Sequence, residues 1–379
     1  MRAVRVIPAG DPLHLLAELR LALSAAGDAL LPVPAGETGT ARDGLGPVPR
    51  RVAVVIETSG STAAPKRVML STDALLASAA ASSVALGGDG QWLLALPAHY
   101  IAGVQVLVRS IAAGTEPVLL PPGHFDPAEF AEYAGRLVEP LRFTSLVPVQ
   151  LARLLDAAEA DPAILAVLRR FTGILVGGQA VAPALIDRAE RLRIVVRRTY
   201  GSSETAGGCV YDGLPIGNTV VRAVDGQLEI SGSVLADGYL DDEVRTRDRF
   251  VDDEGVRWYR TGDLGAVAAD GTVSVTGRAD NVIISGGEKV SLDAVETLVR
   301  TLPGLGEAIV VRAGDPVWGQ AAVVVLAADQ APALEPVRVA VAAELGRAAR
   351  PARIVTVGTI PLLASGKPDR QAVEALVGR

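Results

Sequence analysis

The chain has 379 residues, of which 49% are hydrophobic and only 4% aromatic, so it is long enough for two domains with aliphatic cores. Its formal net charge is −7 and it contains no run of Lys or Arg, which argues against a nucleic-acid partner. A single cysteine excludes an internal disulfide, and with three scattered histidines it leaves no Cys/His metal cluster.

The N-terminus and the apolar stretches predict a cytoplasmic protein. The first residues turn polar at Asp11 before a long apolar region develops, which is unlike a signal peptide. The apolar stretches are interrupted, for example by Arg109 within residues 101–113, so no membrane span is expected.

The first predicted elements are a helix, a loop, a strand and a second helix. Leucines at helical spacing within residues 13–23 predict an amphipathic helix. Residues 32–50 are rich in proline and glycine and predict a connecting segment. The β-branched run Arg51–Glu57 predicts a buried strand, and Ser71 or Thr72 is a candidate N-cap for the Ala-rich helix that follows.

Strand-like and helix-like segments then alternate, which predicts an α/β architecture. The candidate strands are Trp92–Leu96, Pro117–Leu120, Phe143–Val147 and Ile174–Val176. The candidate helices are Phe130–Leu137, Val149–Ala158 and Pro183–Arg191. From about residue 219 the sequence consists of short strand-like segments separated by turn residues, which predicts an antiparallel or barrel-like subdomain. Its candidate strands are Gln227–Ser231, Val256–Tyr259 and Thr272–Thr276.

A compact α/β unit is predicted near the C-terminus. Its candidate elements are helices near Leu292–Leu302 and Pro336–Leu345 and a strand at Ala321–Leu326. We therefore predict an α/β protein with a large domain over residues 1–279, built from α/β layers and a small β-subdomain. A small α/β domain is predicted over residues 280–379.

The segment Thr58–Lys66 predicts a phosphate-binding loop. Hydroxyl groups and successive backbone N–H groups can cradle phosphate oxygens, and a lysine adds positive charge. The segment is not a Walker A loop, because Pro65 and Arg67 stand where that motif needs Gly and Ser or Thr. A polar surface turn is the alternative for this segment alone. Its candidate phosphate contacts are Thr58, Ser59, Gly60, Ser61, Thr62 and Lys66.

Four further blocks suit nucleotide chemistry, although each alone also fits an ordinary turn, linker or solvated side chain. The first offers an aromatic face, hydroxyls and a carboxylate for Mg²⁺, and the second a carboxylate for ribose hydroxyls. The third has an Arg–Asp pair between glycines, which suits a domain hinge. The fourth ends in a lone lysine. The blocks are Thr199–Thr205, Tyr259–Asp263, Gly277–Lys289 and Pro361–Lys367.

Together and in this order, the motifs resemble the adenylate-forming superfamily of acyl-CoA synthetases, peptide-synthetase adenylation domains and luciferases, from about Arg51 to Lys367. The resemblance implies a mobile small C-terminal domain and the use of ATP, Mg²⁺ and CoA. It implies that the phosphate loop and Ser203 contact the ATP phosphates. Glu204 is implied as a catalytic residue that holds Mg²⁺, and Lys367 as the catalytic lysine near the α-phosphate.

Further roles follow from the same resemblance. Asp280 is the implied hinge between the domains. The implied adenosine contacts are Gly178, Gln179, Tyr200, Gly201, Asp263 and Arg278. The implied acyl pocket comprises His99, Tyr100, Ser145, Gly207 and Gly208. The implied tunnel for the pantetheine arm of CoA comprises Ser285, Gly286 and Gly287.

Several blocks resemble one branch of the superfamily, the o-succinylbenzoate–CoA ligases of menaquinone biosynthesis, especially their short actinobacterial form. That branch forms an acyl-adenylate from ATP and the acid and then the CoA thioester, releasing AMP and pyrophosphate. The resemblance implies small-molecule substrates and a cytoplasmic enzyme, and it leaves a homodimer open. A ligase for another acyl or aryl acid and a catalytically impaired nucleotide-binding homologue are the alternatives. The blocks are Leu93–Gly103, Val106–Ser110, Thr144–Pro148 and Arg198–Pro215.

The chain departs from the superfamily pattern at three places. Ala63 stands where the phosphate loop usually has glycine, which would cost about 1 kcal/mol if the position needs a positive φ. Arg67 replaces another glycine, and His99 and Tyr100 reverse the usual order of aromatic and histidine. Arg109 or Arg198 is a candidate cation for the second carboxylate of the acid, although each also fits a structural arginine.

Overall fold

The computed structural model describes residues 1–37, 44–58, 65–362 and 368–378. The chain divides into two compact units. The first unit comprises Met1–Arg222, Glu229–Thr261 and Val267–Val273, and the second comprises Ala223–Leu228, Gly262–Ala266 and Ser274–Arg379. The boundary expected between residues 279 and 280 stays a prediction. None of the helices in the described ranges is long and apolar enough to cross a membrane.

The N-terminal strands begin the first sheet of the first unit. β1 pairs with β2 and β2 with β3 in parallel, and β3 pairs with β4 in antiparallel. Ser71 is confirmed as an N-cap, because its hydroxyl accepts from the backbone N–H of Ala74 at 3.1 Å. Residues 32–33, expected in a connecting segment, end a strand instead. The elements are β1 (Val4–Pro8), α1 (Pro12–Leu23), β2 (Ala29–Val33), β3 (Val52–Thr58), β4 (Lys66–Ser71) and α2 (Thr72–Leu86).

A larger, mostly parallel sheet follows in the same unit. Its elements are β5 (Gln91–Leu94), α3 (Ile101–Ala113), β6 (Val118–Leu119), α4 (Pro127–Gly135), β7 (Arg142–Leu146), α5 (Pro148–Ala160), α6 (Pro162–Leu168), β8 (Gly173–Val176), α7 (Pro183–Arg191), β9 (Val196–Ser202), β10 (Gly207–Tyr211) and β11 (Leu214–Pro215). The seven described strands have the order β11-β10-β9-β8-β7-β5-β6, and the pairs from β9 to β6 are parallel. The predicted α/β alternation is confirmed.

Helices cover both faces of this sheet. On one face Leu93, Leu146 and Ile174 pack against α4 to α7, where Phe130 is fully buried. On the other face α3 packs against β5, β7 and β10, and α2 against β10. Successive residues of a strand face opposite sides, so a strand covered on both faces is expected to be mostly apolar, as β5 and β8 are. In β7 the sheet also accommodates a buried polar residue, because the hydroxyl of Thr144 donates to the carbonyl oxygen of Leu93 at 2.9 Å.

The segment after residue 219 forms a third sheet, as predicted, but one of its strands runs over the 12 residues Val256–Val267 instead of ending at Tyr259. Its described strands have the order β12-β13-β16-β15, and β17 pairs with β16. The strand β14 does not join them; it pairs with β4 and extends the first sheet. The elements are β12 (Val220–Val224), β13 (Gln227–Ser231), β14 (Gly238–Tyr239), α8 (Glu243–Arg249), β15 (Phe250–Asp253), β16 (Val256–Val267) and β17 (Val273–Arg278).

The second unit contains the predicted compact α/β structure. Its described strands have the order β19-β18-β21-β20, and β22 pairs with β21. Val295 and Val341 of two helices pack on one face of this sheet, and Val373 packs on the other. The elements are β18 (Val282–Ser285), β19 (Glu288–Ser291), α9 (Leu292–Val299), β20 (Ile309–Asp315), β21 (Gly319–Ala327), α10 (Leu334–Leu345), β22 (Arg353–Val357) and α11 (Arg370–Val377).

Candidate active site

Predicted site residues of the first unit lie at or just beyond the carboxyl ends of neighbouring parallel strands. Parallel strands all end at the same edge of a sheet, which is where open α/β sheets bind ligands. The structure therefore brings together residues that the sequence separates by about a hundred positions. They are His99 and Tyr100 after β5, Ser145 in β7, Gly178 and Gln179 after β8, and Tyr200 and Gly201 in β9.

Glycines allow β9 and β10 to approach closely behind this edge. A Cβ on Gly201 would lie 2.1 Å from the carbonyl oxygen of Gly207, a distance that no side chain tolerates. A Cβ on Gly207 would lie 3.3 Å from Cγ of Gln105 in α3. The predicted acyl-pocket residue Gly207 therefore presents backbone rather than a side chain to α3, whereas a Cβ on Gly208 would lie 3.2 Å from Thr199 and Tyr211.

The turn between β9 and β10 contains a left-handed alanine that two side chains support. Ala206 has a φ of 50°, which costs a residue with a Cβ about 1 kcal/mol. Its carbonyl oxygen accepts hydrogen bonds from Gln105 Nε2 at 2.8 Å and from Ser78 Oγ at 3.0 Å. Both donors are buried and both were missed from the sequence, because they lie on helices far from the turn in the chain.

Four charged side chains are buried in the described part of the chain: Arg109, Glu204, Glu229 and Glu296. Glu229 and Glu296 each form ion pairs with two arginines. Arg109 and Glu204 form no ion pair with any described residue. Burying a charge without a partner is unfavourable, so each is a candidate ligand group. Glu204 suits a cation and Arg109 suits an anion.

Glu204 lies in a 3₁₀ turn, Ser203–Thr205, directly after β9, and is 6% exposed. The hydroxyl of Tyr239 donates to its Oε1 at 2.8 Å. Burial raises the pKa of Tyr239, and the negative charge of Glu204 raises it further, so the hydroxyl keeps its proton and acts as the donor. Because the carboxylate has no positive partner among the described residues, it can supply one oxygen ligand to a divalent cation.

The two ends of the predicted phosphate loop face each other across a hairpin. Thr58 in β3 pairs with Lys66 in β4. In the same hairpin Arg67 lies opposite Glu57, with Nε 3.2 Å from Oε2. The arginine at this unusual position therefore makes a cross-strand ion pair. The predicted contacts Ser59, Gly60, Ser61 and Thr62 lie outside the described residues, as does Ala63.

His99 lies near the end of the connection between β5 and α3 and is in ring contact with Tyr100, with centroids 4.1 Å apart. Burial lowers the pKa of His99, and the nearby charge of Glu37 opposes that shift only in part. Its Nε2 has no hydrogen-bond partner among the described residues. The imidazole is therefore neutral near pH 7 and contributes no positive charge to the predicted acyl pocket.

In the second unit, Arg278 joins two carboxylates predicted to have different roles. Its Nη1 donates to Asp263 at 2.9 Å, and its Nε and Nη2 donate to Asp280 at 3.2 Å. Burial acts to lower the pKa of Arg278, but the two carboxylates outweigh it and the pKa is raised. The backbone N–H of Arg278 and the side chain of Asn281 donate to Asp293, which the sequence reasoning missed, each at 2.7 Å.

The predicted CoA-tunnel residues lie at the hairpin between β18 and β19. Gly286 and Gly287 have φ values of 57° and 86°, as a two-residue hairpin turn requires. A Cβ on Gly286 would lie 2.4 Å from the ring of Trp318, whose carbonyl oxygen accepts from the N–H of Gly286 at 2.9 Å. Ser285 precedes the turn and is buried. Lys367, the predicted catalytic lysine, lies outside the described residues.

Two family models match the chain. The model for AMP-binding enzymes matches residues 20–240, and the model for the C-terminal domain of AMP-binding enzymes matches residues 294–367. A probable 2-succinylbenzoate–CoA ligase of Mycobacterium tuberculosis is 40% identical over 98% of this chain and 97% of its own length. A 2-succinylbenzoate–CoA ligase of Listeria monocytogenes is 29% identical over 86% of this chain and 70% of its own length.

Two solved structures share the fold. The o-succinylbenzoate CoA synthetase of Bacillus subtilis, in complex with its acyl-adenylate intermediate, is 23% identical with a TM-score of 0.77 over 95% of this chain and 81% of its own. A variant of Escherichia coli MenE with bound OSB-AMS is 25% identical with a TM-score of 0.75 over 100% of this chain and 88% of its own. The expected fold, a large N-terminal and a small C-terminal part, is confirmed.

Cys209, in β10 beside the predicted acyl pocket, is fully buried. Burial raises the pKa of its thiol to about 12, although a hydrogen bond with the side chain of Thr205 opposes the shift. We expect no reaction of the native protein with a disulfide thiol reagent at pH 8, and complete reaction after unfolding in urea. Rapid labelling of the native protein would contradict the burial of this thiol.

The raised pKa of Cys209 predicts that the protein loses stability at alkaline pH. The folded-state pKa of about 12 lies above the value of about 8.5 for an exposed thiol, so the unfolded state loses its proton first. The contribution of Cys209 is complete below pH 8.5 and declines by about 1.4 kcal/mol per pH unit as the pH rises toward 12. Urea unfolding of wild type and Cys209→Ala at pH 8 and pH 10 measures this decline. The free energy of unfolding should fall less between the two pH values in Cys209→Ala, because the variant has no thiol to lose a proton.

Proposed function

This chain belongs to the AMP-binding enzyme family, and we propose that it is an AMP-forming acid–thiol ligase whose acid is 2-succinylbenzoate. The observation that carries the proposal is the 40% identity to the Mycobacterium tuberculosis relative over 98% of this chain and 97% of that relative. ATP and CoA are the proposed cosubstrates and Mg²⁺ the proposed cofactor. A Bacillus subtilis structure at 25% identity, in complex with ATP and a magnesium ion, supports them.

The proposed reaction has two half-reactions. In the first, a carboxylate oxygen of the acid forms a bond to the α-phosphorus of ATP and pyrophosphate leaves. In the second, the CoA thiol attacks the acyl carbon, the thioester forms and AMP leaves. Attack by a weakly nucleophilic carboxylate needs neutralisation of negative charge more than it needs a general base. Lys66 and Lys367 are the proposed sources of that positive charge.

The remaining roles follow the family pattern and are proposals. Tyr200 is proposed to stack on the adenine, beside Gly178 and Gln179, and its position in β9 at the carboxyl edge supports this. Asp263 and Arg278 are proposed to hold the ribose. Their mutual hydrogen bond supports a joint role, because it fixes the orientation of the carboxylate. Asp280 is proposed as the hinge, and Ser285, Gly286 and Gly287 as the tunnel for the CoA thiol arm.

Glu204 is proposed to hold the Mg²⁺. The fit rests on its burial and on the absence of a positive partner among the described residues. When bound, Mg²⁺ neutralises charge on the ATP phosphates. A carboxylate that accepts one neutral hydrogen bond retains its full negative charge for a cation, and this supports Glu204 as the metal ligand.

Arg109 is proposed to bind the second carboxylate of the acid. It is 6% exposed, its guanidinium lies 4.8 Å from the ring centroid of Trp92, and its Nε has no hydrogen-bond partner among the described residues. Its Nη2 donates a long hydrogen bond of 3.4 Å to the hydroxyl of Tyr211. Arg198 is exposed to solvent and shares Asp212 with Arg197, at 3.6 Å and 3.2 Å, so it is not a buried cation that needs a ligand. An unpaired buried guanidinium favours a dianionic acid over a monoacid.

The test of the proposed function is an acid panel. The protein, ATP, Mg²⁺ and CoA are incubated with 2-succinylbenzoate and with other aryl and acyl acids, and AMP, pyrophosphate and thioester are measured. We expect the highest kcat/KM for 2-succinylbenzoate. A much higher value for another acid would replace the substrate, and ATP binding without pyrophosphate release for any acid would identify an impaired homologue.

A second prediction concerns Arg109. The change Arg109→Gln should raise KM for 2-succinylbenzoate by about 10-fold to 100-fold, because a charge-assisted hydrogen bond in a buried site is lost. KM for an analogue without the second carboxylate should stay within about 2-fold, since that analogue never had the bond. Arg198→Gln is the matched control and should leave both values unchanged. Equal losses for both acids in Arg109→Gln would assign the residue a structural role.

A third prediction concerns Lys367. The change Lys367→Ala should nearly abolish formation of the adenylate but preserve conversion of presynthesised acyl-adenylate to the thioester. The reason is that the proposed charge of Lys367 is needed only while pyrophosphate leaves. Pyrophosphate release and thioester formation are measured separately. Equal loss in both half-reactions would remove the case for two catalytic conformations.

The proposed enzyme acts on small molecules. Its location in the cytoplasm and its assembly as a homodimer stay predictions. Size-exclusion chromatography with light scattering measures the assembly directly.

A further inference from the structure

We propose that Tyr239 is a positioning residue that orients Glu204 for the metal. The inference rests on the proposed function, because that function supplies the metal-binding role of Glu204. It is carried by the hydrogen bond of 2.8 Å from the Tyr239 hydroxyl to Oε1 of Glu204, between side chains that are 3% and 6% exposed.

The hydrogen bond leaves the two carboxylate oxygens of Glu204 in different states. Oε1 accepts from Tyr239, whereas Oε2 accepts no hydrogen bond from any described residue. A carboxylate with one oxygen occupied by a fixed donor has a restricted orientation, and its other oxygen is the one available to a cation. Hydrogen bonds of this kind to metal-binding carboxylates typically change metal affinity by about 10-fold to 100-fold.

Tyr239 is itself held rigidly. Its backbone N–H donates to Thr246 Oγ1 at 2.9 Å, and its ring lies 5.9 Å from the ring of Phe250. Gly238 allows this packing, since a Cβ there would lie 2.5 Å from Cγ2 of Thr246. A donor fixed by backbone and ring contacts loses little side-chain entropy when it orients a second group. The Tyr239 hydroxyl is therefore held in a fixed position from which it can orient Glu204.

Strand pairing connects Tyr239 to the predicted phosphate loop. Tyr239 in β14 pairs with Val68 in β4, and β4 begins at Lys66. The N–H of Leu240 also donates to the carbonyl oxygen of Arg67 at 2.8 Å. The proposed phosphate-binding lysine and the donor to the proposed metal ligand therefore belong to adjacent strands of one sheet. A shift of β14 would move both groups together.

The backbone of Glu204 is attached to the same segment. The N–H of Ala236 donates to the carbonyl oxygen of Glu204 at 2.8 Å. The segment 236–240 thus holds Glu204 by its main chain and by its side chain. Only the second bond depends on the tyrosine hydroxyl, so removal of that oxygen tests orientation without removing the backbone attachment.

The experiment is the change Tyr239→Phe, which removes the hydroxyl and keeps the ring. Binding of ATP is measured by calorimetry with Mg²⁺ and with EDTA, and adenylation is measured over a range of Mg²⁺ concentrations. We expect the half-saturating Mg²⁺ concentration to rise about 10-fold, while ATP binding in EDTA stays unchanged. An unchanged Mg²⁺ dependence would overturn the proposal.

A purely structural role predicts a different pattern. The control Phe130→Leu loosens a core cluster of the larger sheet that does not include Tyr239, so it should lower Tm without changing the Mg²⁺ dependence. If Tyr239→Phe lowered Tm and weakened ATP binding equally with Mg²⁺ and with EDTA, Tyr239 would only support the fold.

A double-mutant cycle can still test the proposal if one of the single variants is unstable. Glu204→Asp shortens the carboxylate by one methylene and should by itself raise the Mg²⁺ requirement. If Tyr239 acts through Glu204, adding Tyr239→Phe to Glu204→Asp should change the requirement by less than about 2-fold. Fully additive effects would mean that Tyr239 acts independently and would refute the proposal.

The outcome is separable from the fate of the proposed substrate. The ATP-binding measurement contains no acid, so it reports on Tyr239 even if 2-succinylbenzoate fails in the acid panel. Conversely, a Mg²⁺ dependence that survives Tyr239→Phe unchanged would leave the acid specificity untouched.

Discussion

The parallel pairing of β5, β7, β8 and β9 is the constraint on which the site of the first unit depends. Parallel strands need crossover connections, and these return the chain so that every strand ends at the same edge. Tyr100, Ser145, Gly178 and Tyr200 are brought to that edge by topology alone. The helices on both faces then exclude water from the strands and leave the edge as the place where polar side chains can meet a ligand.

Burial of unpaired charge is the second feature of this unit. Glu229 and Glu296 are neutralised by arginines of the chain itself, whereas Glu204 and Arg109 have no ionic partner among the described residues. A folded protein tolerates such groups where a ligand supplies the missing charge, and the fold then carries an unfavourable term in the absence of that ligand. One buried anion and one buried cation match an enzyme whose substrates include a metal nucleotide and a dianionic acid.

In the second unit, charged side chains of the chain pair with each other. Arg278 is bonded to Asp263 and Asp280 at once, and its backbone N–H is held by Asp293. A planar guanidinium with several donors can hold two carboxylates in a defined relation, which a lysine cannot do. The proposed ribose-binding aspartate and the proposed hinge aspartate therefore share one cation. Any rearrangement of the backbone at Asp280 has to exchange these hydrogen bonds.

The sequence by itself determined the α/β class, the order of the motifs and the positions of the charged groups they contain. It has only three lysines among 36 basic residues, and Lys66, Lys289 and Lys367 each belong to one of the motifs. Short apolar runs and turn residues carry this information because they reflect local backbone preferences and burial. The partners of the motif residues were decided only by the tertiary structure. Tyr239, Gln105 and Asp293 meet Glu204, Ala206 and Arg278 through strand pairing and helix packing between distant segments, and such contacts have no local sequence pattern.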